Sequence, residues 1–244
     1  MYKIGVIIPC YNEAKRLDFS EVKKLIAQPN INVFFANDGS TDNTSEIINQ
    51  FILQNNQDNL ALFDYKENTG KANTIYTTVN TLLQDDSLDY IAYLDADFAT
   101  NAEEFIRMLT VLKVQPLDFV IASRVNLLNS NIKRKYYRHL IGRIIVTIIN
   151  FKYHLGIYDT QCGAKVFSKE ILKIGFNKPF KTSWLFDIEL FIRLKSNKLL
   201  IYGTEFPIKN WRDVEGSKLK PNHAIVILKE LFLLLKKNIT KTHE

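Results

Sequence analysis

Short apolar runs alternate with stretches of helical spacing along the first half of the chain. Lys3–Pro9, Ile31–Asn37, Leu60–Tyr65, Tyr90–Leu94 and Phe119–Ser123 are rich in Ile, Val, Phe and Tyr and apolar on both faces, which predicts the buried strands of a parallel sheet. Between them Glu21–Gln28, Thr44–Gln54, Lys71–Leu83 and Glu103–Val114 have the apolar spacing of helices. The Ser40-Thr41-Asp42 cluster and Asn101, the latter followed by Glu103 and Glu104, supply N-caps and first-turn acids. Repeated strand–helix–strand units predict right-handed crossovers and a doubly wound, mostly parallel α/β sheet. Such sheets bind ligands at the carboxyl ends of their strands, so the residues after each strand are the ones to inspect.

Past Arg124 the pattern changes. Within Asn131–Tyr153, apolar residues at 140, 141, 144, 145, 148 and 149 form one stripe of a helix, with Arg134, Arg138, Arg143 and Lys152 as its basic complement. A strand at Ala164–Ser168, a helix from Phe186 to Lys195, a strand at Leu200–Phe206 and a helix at Asn222–Lys237 complete the expectation. There is no repeat or Pro/Gly-rich linker, so residues 1–124 and 125–244 are expected to pack as two halves of one domain.

The 244 residues, 46% hydrophobic and 24% charged, have an ordinary globular composition that excludes disorder and collagen-like or disulfide-framework folds. The net charge of +6 hides an asymmetry. Residues 1–122 hold 9 Lys/Arg against 17 Asp/Glu, or −8, and residues 123–244 hold 23 against 9, or +14. A basic half of that size predicts an anionic partner. Cys10 and Cys162 have neither CxxC nor Cys/His spacing, so small buried residues in a reducing compartment are expected. The apolar N-terminal run ends at Pro9 without a cleavage site, and neither Leu140–Phe151 nor Ala224–Leu235 reaches the roughly 20 apolar residues of a spanning helix. The expectation is therefore a cytoplasmic protein, without signal peptide or transmembrane helix, whose two amphipathic segments lie on an anionic membrane surface.

The strand ends carry the chemistry. Strand 1 is followed by Pro9-Cys10-Tyr11-Asn12-Glu13, strand 2 by Asn37-Asp38-Gly39-Ser40-Thr41-Asp42, and strand 4 by Asp95-Ala96-Asp97. Glu13, Asp38, Asp95 and Asp97 thus gather at one sheet edge, where uncompensated carboxylates raise each other's pKa and call for a cation or a hydroxyl-rich ligand. Asp95 and Asp97 straddle a small residue, so both can turn toward a hard divalent cation, Mg²⁺ or Mn²⁺. Asp38-Gly39 reads either as a turn or as an acid that accepts hydrogen bonds from a nucleoside. The phosphate-loop patterns GxGxxG and GxxxxGK[ST] are absent, leaving phosphates to a metal and basic side chains.

These residues resemble the family 2 glycosyltransferases. Ile8-Pro9-Cys10-Tyr11-Asn12-Glu13, Asn37 to Asp42, Asn68-Thr69-Gly70-Lys71-Ala72 and Asp95-Ala96-Asp97 stand in that family's order. The resemblance implies a GT-A type fold, a nucleotide-sugar donor and a divalent metal. It implies that Pro9, Tyr11, Glu13, Asp38 and Lys71 line the nucleoside pocket, that Asp95 approaches the ribose and diphosphate, and that Asp97 holds the metal. Further on, Ser123-Arg124, Asp159 to Lys165, Trp184 to Leu190 and Asn210 to Leu219 are similar to the dolichyl-phosphate β-glucosyltransferases and bacterial relatives acting on polyprenyl phosphate. Ala99 stands where the mannosyl branch usually has Gln, which favours the glucosyl branch.

The reaction so implied is inverting transfer of glucose from UDP-glucose to a lipid monophosphate. Basic residues then hold the acceptor phosphate: Arg124, Arg134 and Arg138 one helical turn apart, and Lys218, arginine's fork being suited to phosphate. Asp187 and Glu189, two apart on a helix, point different ways. The resemblance puts Asp187 nearest the acceptor as base or orienter, with a first-turn acid on the helix dipole as its bland reading. Gln161 and Trp184 are expected to contact sugar or acceptor, although a buried aromatic is more often core. Rival readings are a GDP-mannose or UDP-N-acetylglucosamine donor, a soluble glycan acceptor, and a non-catalytic nucleotide-sugar or lipid-phosphate binding protein. No nucleic-acid module is recognisable.

Overall fold

The computed structural model describes residues 2–56, 58–214 and 222–236. Strands β1 (Ile4–Cys10), β2 (Ile31–Asp38), β3 (Leu60–Tyr65), β4 (Tyr90–Leu94) and β5 (Phe119–Ser123) fall almost where the apolar runs end. Helices α1 (Phe19–Ile26), α2 (Thr44–Asn55), α3 (Lys71–Leu82) and α4 (Ala102–Leu109) connect them. The predicted helix 103–114 is broken after α4, with α5 (Val111–Val114) set apart at Thr110, whose hydroxyl donates to the Arg107 carbonyl. That local bond competes with the helical ladder.

Beyond β5 come β6 (Asn131–Lys133), α6 (Tyr136–Tyr153), β7 (Ala164–Ser168), α7 (Lys169–Gly175), α8 (Phe186–Ser196), β8 (Gly203–Pro207), β9 (Asn210–Arg212) and α9 (Asn222–Lys236). The seven-stranded sheet has the order β3-β2-β1-β4-β7-β5-β8. It is parallel except for β7, which runs antiparallel between β4 and β5. Two expectations need correction. The predicted helix 131–153 starts only at Tyr136, because Asn131–Lys133 pair with β9 in a separate two-stranded sheet. The predicted strand 200–206 begins as a 3₁₀ turn at Leu200–Tyr202 and enters the sheet at Gly203.

Alternation along the strands feeds two cores. Val6, Ile8 and Phe35 pack with Val22, Ile48 and Phe105 under α1, α2 and α4. Ile7, Ile91, Tyr93 and Phe167 pack with Ile75, Ile188 and Phe191 under α3 and α8. A sheet covered on both faces leaves its strand ends as the place for a ligand. The order β2-β1-β4 puts the switch point between β1 and β4, so the crevice opens between Tyr11-Asn12-Glu13 and Asp95-Ala96-Asp97. Among the described residues, no helix is long and apolar enough to cross a membrane.

Candidate active site

Hydrogen bonds lace the loops after β1, β2 and β3 into one wall. Asn12, at φ 52°, accepts the Thr41 N–H at 2.8 Å and donates its own N–H to Ser40 Oγ at 2.9 Å. The Glu13 N–H donates to Thr44 Oγ1 at 2.8 Å. Asp38, 3% exposed, accepts the N–H groups of Thr69 at 2.8 Å and Gly70 at 2.9 Å, one on each oxygen. Gly39 lies at φ +60°, and a Cβ there would sit 2.6 Å from the Asn68 backbone nitrogen, so only glycine lets the loops close this tightly. The loop that Asp38 holds delivers Lys71 at the start of α3, and Lys71 Nζ reaches Asp95 Oδ1 at 2.5 Å.

The four acids therefore differ from the uncompensated cluster read in the sequence. Glu13 is gripped by Arg16 through Nε at 2.9 Å and a terminal nitrogen at 2.8 Å. Asp38 is committed to the 69–70 loop instead of facing the crevice with a free carboxylate, and Asp95 is matched by Lys71. Among the described residues Asp97 makes no ion pair, and its carboxylate accepts one N–H, from Ala99 at 3.1 Å. Burial first, and then the charge of Asp95, raise the Asp97 carboxyl above its ordinary pKa. Burial pulls Lys71 down, but Asp95 and Asp187 outweigh it and hold the ammonium above its usual range. Pro9 and Tyr11, at the end of β1, are half-buried.

Strand β7 closes the other side. The Asp95 N–H donates to the Gly163 carbonyl at 3.0 Å, and a Cβ at Gly163 would meet Asp95 Oδ2 at 2.1 Å, so glycine is required for the aspartate to lie there. Lys165 stands opposite Tyr93 in the β4–β7 pairing, and directly opposed residues share a face. Both reach Asp187 in the first turn of α8: Lys165 Nζ lies 3.0 Å from Oδ1, and the Tyr93 hydroxyl donates to the same oxygen. Burial, and then the Asp187 charge, hold that hydroxyl far above the ordinary phenol range. Glu189 faces elsewhere, accepting from Lys181 N–H, Thr182 N–H and Arg193.

The basic acceptor site is redrawn. Arg124 does not present its fork, because Nε and a terminal nitrogen close on Asp159 at 2.7 and 2.8 Å. Desolvation opposes both charges, yet their attraction wins, pushing Asp159 far down and Arg124 up. Arg134 and Arg138 do not share a helical face: Arg134 precedes α6, and Arg138 pairs with Asp213 at 2.9 Å. Arg134 makes no ion pair among the described residues, and burial together with the Arg124 charge lowers its pKa. A cation crowded in this way is a ready anion ligand. Gln161 has its Nε2 buried with no acceptor among the described residues. Trp184 is half-buried, its loop held by Glu230, which accepts the N–H groups of Ser183, Trp184 and Leu185 at 2.8, 3.0 and 2.9 Å. Lys218 lies outside the described residues.

Lys165, Tyr93, Asp159 and Glu230 are structural partners to which the sequence pattern assigned no role. The signals available were the lone Lys165 inside an apolar strand and the place of Asp159 and Lys165 at the two ends of one matched motif. Cys10 and Cys162 are buried, as expected, and burial raises the Cys162 thiol.

Residues 5–176 match the model of glycosyl transferase family 2. The chain is 30% identical over 235 residues to dolichyl-phosphate β-glucosyltransferase of Dictyostelium discoideum, covering 89% of this chain and 69% of that one. Its identity to the Homo sapiens enzyme of the same name is 30% over 234 residues, covering 90% and 70%. Among solved structures, mannosyl-3-phosphoglycerate synthase of Rubrobacter xylanophilus superposes with a TM-score of 0.72 at 15% identity, covering 100% of this chain and 77% of that one. Glucosyl-3-phosphoglycerate synthase of Mycobacterium tuberculosis, in complex with Mn²⁺, UDP and glucosyl-3-phosphoglycerate, gives 0.69 at 14% identity, covering 96% and 78%. The architecture is thus of GT-A type, as the motif resemblance implied.

Proposed function

The chain belongs to glycosyl transferase family 2, and from that premise we propose that it transfers glucose from UDP-glucose, with inversion, onto a polyprenyl- or dolichyl-type lipid phosphate. The observation that carries this reading is the division of the crevice: among the described residues, half-buried Asp97 makes no ion pair beside the Asp95–Lys71 pair, and Arg134 makes none across the 159–163 loop. An anionic diphosphate suits the first only through a metal. A monophosphate suits the second directly. Two relatives at about 30% identity, both named for dolichyl phosphate and glucose, support the choice of substrates.

Asp97, assisted by Asp95, would hold Mg²⁺ or Mn²⁺. The fit rests on a carboxylate that has one N–H donor and a raised pKa, since a hard divalent cation relieves both desolvation and the Asp95 charge. When bound, such a cation supplies Lewis-acid stabilisation of the departing diphosphate. Pro9 and Tyr11 flank the nucleoside, with Glu13 and Asp38 supporting the loops around it, and Lys71 stays with Asp95 beside the diphosphate. Arg134, with Gln161 and Lys218, holds the acceptor phosphate. Arg124 and Arg138 shape that site through Asp159 and Asp213.

A phosphate monoester is already anionic near neutrality, its second pKa being about 6, so Asp187 orients the acceptor more than it removes a proton. Lys165 offsets the aspartate's charge as the phosphate approaches. Trp184 borders the sugar. A lipid-borne acceptor places this peripheral enzyme on the cytoplasmic face of a membrane.

Thermal unfolding with Mn²⁺ and a panel of nucleoside diphosphates tests the donor half. UDP is expected to stabilise the protein more than GDP, and only with metal. A larger effect of GDP would transfer the reading to a mannosyl donor.

A further inference from the structure

Half-buried His139, Gly142 and Arg143 lie in line with buried Val146 and Ile149 on one face of α6. Gly142 makes room there for Arg134. A Cβ at Gly142 would sit 3.1 Å from Arg134 Nη2, so the guanidinium folds back onto this face from the segment before the helix. Arg143 Nη1 donates to the Tyr158 carbonyl at 2.7 Å, with its guanidinium 4.0 Å over the Tyr158 ring. His139 therefore shares its face with two guanidinium groups, and its own ring makes no hydrogen bond or ion pair among the described residues.

The acids around this face are committed elsewhere. Asp159 is closed on Arg124 and Asp213 on Arg138. Glu205 of β8 accepts the N–H groups of Tyr158 at 2.6 Å and Asp159 at 2.9 Å. Arg134 and Arg143 make no ion pair among the described residues, so the face carries excess positive charge. Burial first, then Arg134 and Arg143, hold the imidazole below its ordinary pKa, with Asp159 opposing and Arg124 adding to them. His139 is thus neutral near neutral pH while no anion is present. A phosphate monoester inverts that balance: its second pKa is about 6, so it arrives nearly doubly charged, and a dianion beside the ring favours the imidazolium. A diester brings a single charge and shifts the balance less.

We infer that His139 is a further ligand of the acceptor phosphate, taking up one proton from solvent as the dianion seats against Arg134 and donating a hydrogen bond to it, and that this residue gives the site a preference for a monoester over a diester. The proton goes to the ring nitrogen that lacked one, and no other bond is made or broken. The inference deepens the proposed lipid-phosphate acceptor and rests on that reading for the identity of the ligand.

The test uses the full chain with methyl phosphate or dimethyl phosphate at matched ionic strength, without nucleotide sugar or lipid. The rings of the four histidines are followed by NMR, and His139→Gln identifies the resonance that belongs to His139. Saturating methyl phosphate is expected to move the His139 titration midpoint up by about one pH unit or more, and dimethyl phosphate by much less. In calorimetry, wild type should bind methyl phosphate about tenfold more tightly than His139→Gln near pH 6, with little advantage left near pH 8.5, where the bound imidazolium has lost its proton. A His139 midpoint unmoved by methyl phosphate, or a His139→Gln that binds it as wild type does at both pH values, overturns the inference. Transfer of label to polyprenyl phosphate is scored separately. A protein that labels lipid while His139 stays unmoved loses this inference alone, whereas a responsive His139 without lipid labelling keeps the phosphate site and overturns the acceptor reading.

Discussion

Lys165 Nζ lies 3.0 Å from Asp187 Oδ1, with the lysine fully buried and the aspartate 4% exposed. The Tyr93 hydroxyl takes the same oxygen, and Lys165 also donates to the Cys162 carbonyl at 2.6 Å. One cation therefore ties together the start of α8, strand β7 and the 159–163 loop against Asp95. Asp187 Oδ2 accepts no hydrogen bond among the described residues.

Removing one member of a buried ion pair leaves the other uncompensated, so Lys165→Met should cost about 3–5 kcal/mol in urea denaturation. Replacing both by apolar residues removes that penalty. Lys165→Met with Asp187→Leu is therefore expected to be more stable than Lys165→Met alone, by about 1 kcal/mol or more. Additive losses would show that the two charges do not depend on each other.

Asp97 gives a pH signature. Because its pKa is raised in the folded protein, the native state binds more protons than the unfolded state between the ordinary carboxylate pKa and the raised one. Stability therefore falls as pH rises through that window. Metal-free Asp97→Asn should be more stable than wild type at about pH 7, with the gain fading toward about pH 4. Excess Mn²⁺ should raise wild-type stability, by about 2.7 kcal/mol at a hundredfold over its Kd, and leave Asp97→Asn unmoved. Equal responses to metal in the two proteins would remove Asp97 from the metal site.

The two arginines flanking the 159–163 loop should separate cleanly. Asp159→Asn strands the buried Arg124 charge and is expected to cost about 3–5 kcal/mol. Arg134→Ala removes no ion pair among the described residues, so stability should stay within about 0.5 kcal/mol while the KM for lipid phosphate rises more than that for donor. A larger rise for donor would move Arg134 out of the acceptor site.

Glu230 links α9 to the loop before α8 by accepting three consecutive N–H groups and the Ser183 hydroxyl. Glu230→Gln leaves part of that set without an acceptor, at a cost of about 1–3 kcal/mol. Since the loop carries Trp184, steady-state kinetics should show the acceptor KM rising roughly tenfold, with the donor KM little changed. Unchanged kinetics at reduced stability would make Glu230 a purely structural residue.

The first five strands were legible because a strand buried on both faces is written as an unbroken apolar run, bounded here by Pro, Asn and Asp. What such a run does not encode is its neighbour. Nothing in Ala164–Ser168 shows that β7 will enter antiparallel between β4 and β5, and it is this pairing that sets Lys165 opposite Tyr93. Asp95, Asp97 and Lys71 could be assembled in advance because a parallel sheet brings its strand ends together. The partners that neutralise Glu13 and Arg124 could not, since Arg16 meets Glu13 through a local turn and Asp159 meets Arg124 across 35 residues. Arg138 looked available because Asp213 lies 75 residues away. Likewise, an amphipathic stripe announces α6, while which side meets the core depends on packing that only the fold supplies.

Transfer of label into lipid tests the central claim most directly. Purified full-length protein is incubated with Mg²⁺ or Mn²⁺, a panel of labelled nucleotide sugars including UDP-glucose, and a short polyprenyl phosphate, and the organic phase is counted. The account predicts label in that phase from UDP-glucose with wild type and none with Asp97→Ala. No donor labelling the lipid, while a free glycan or protein acceptor is labelled, would contradict it.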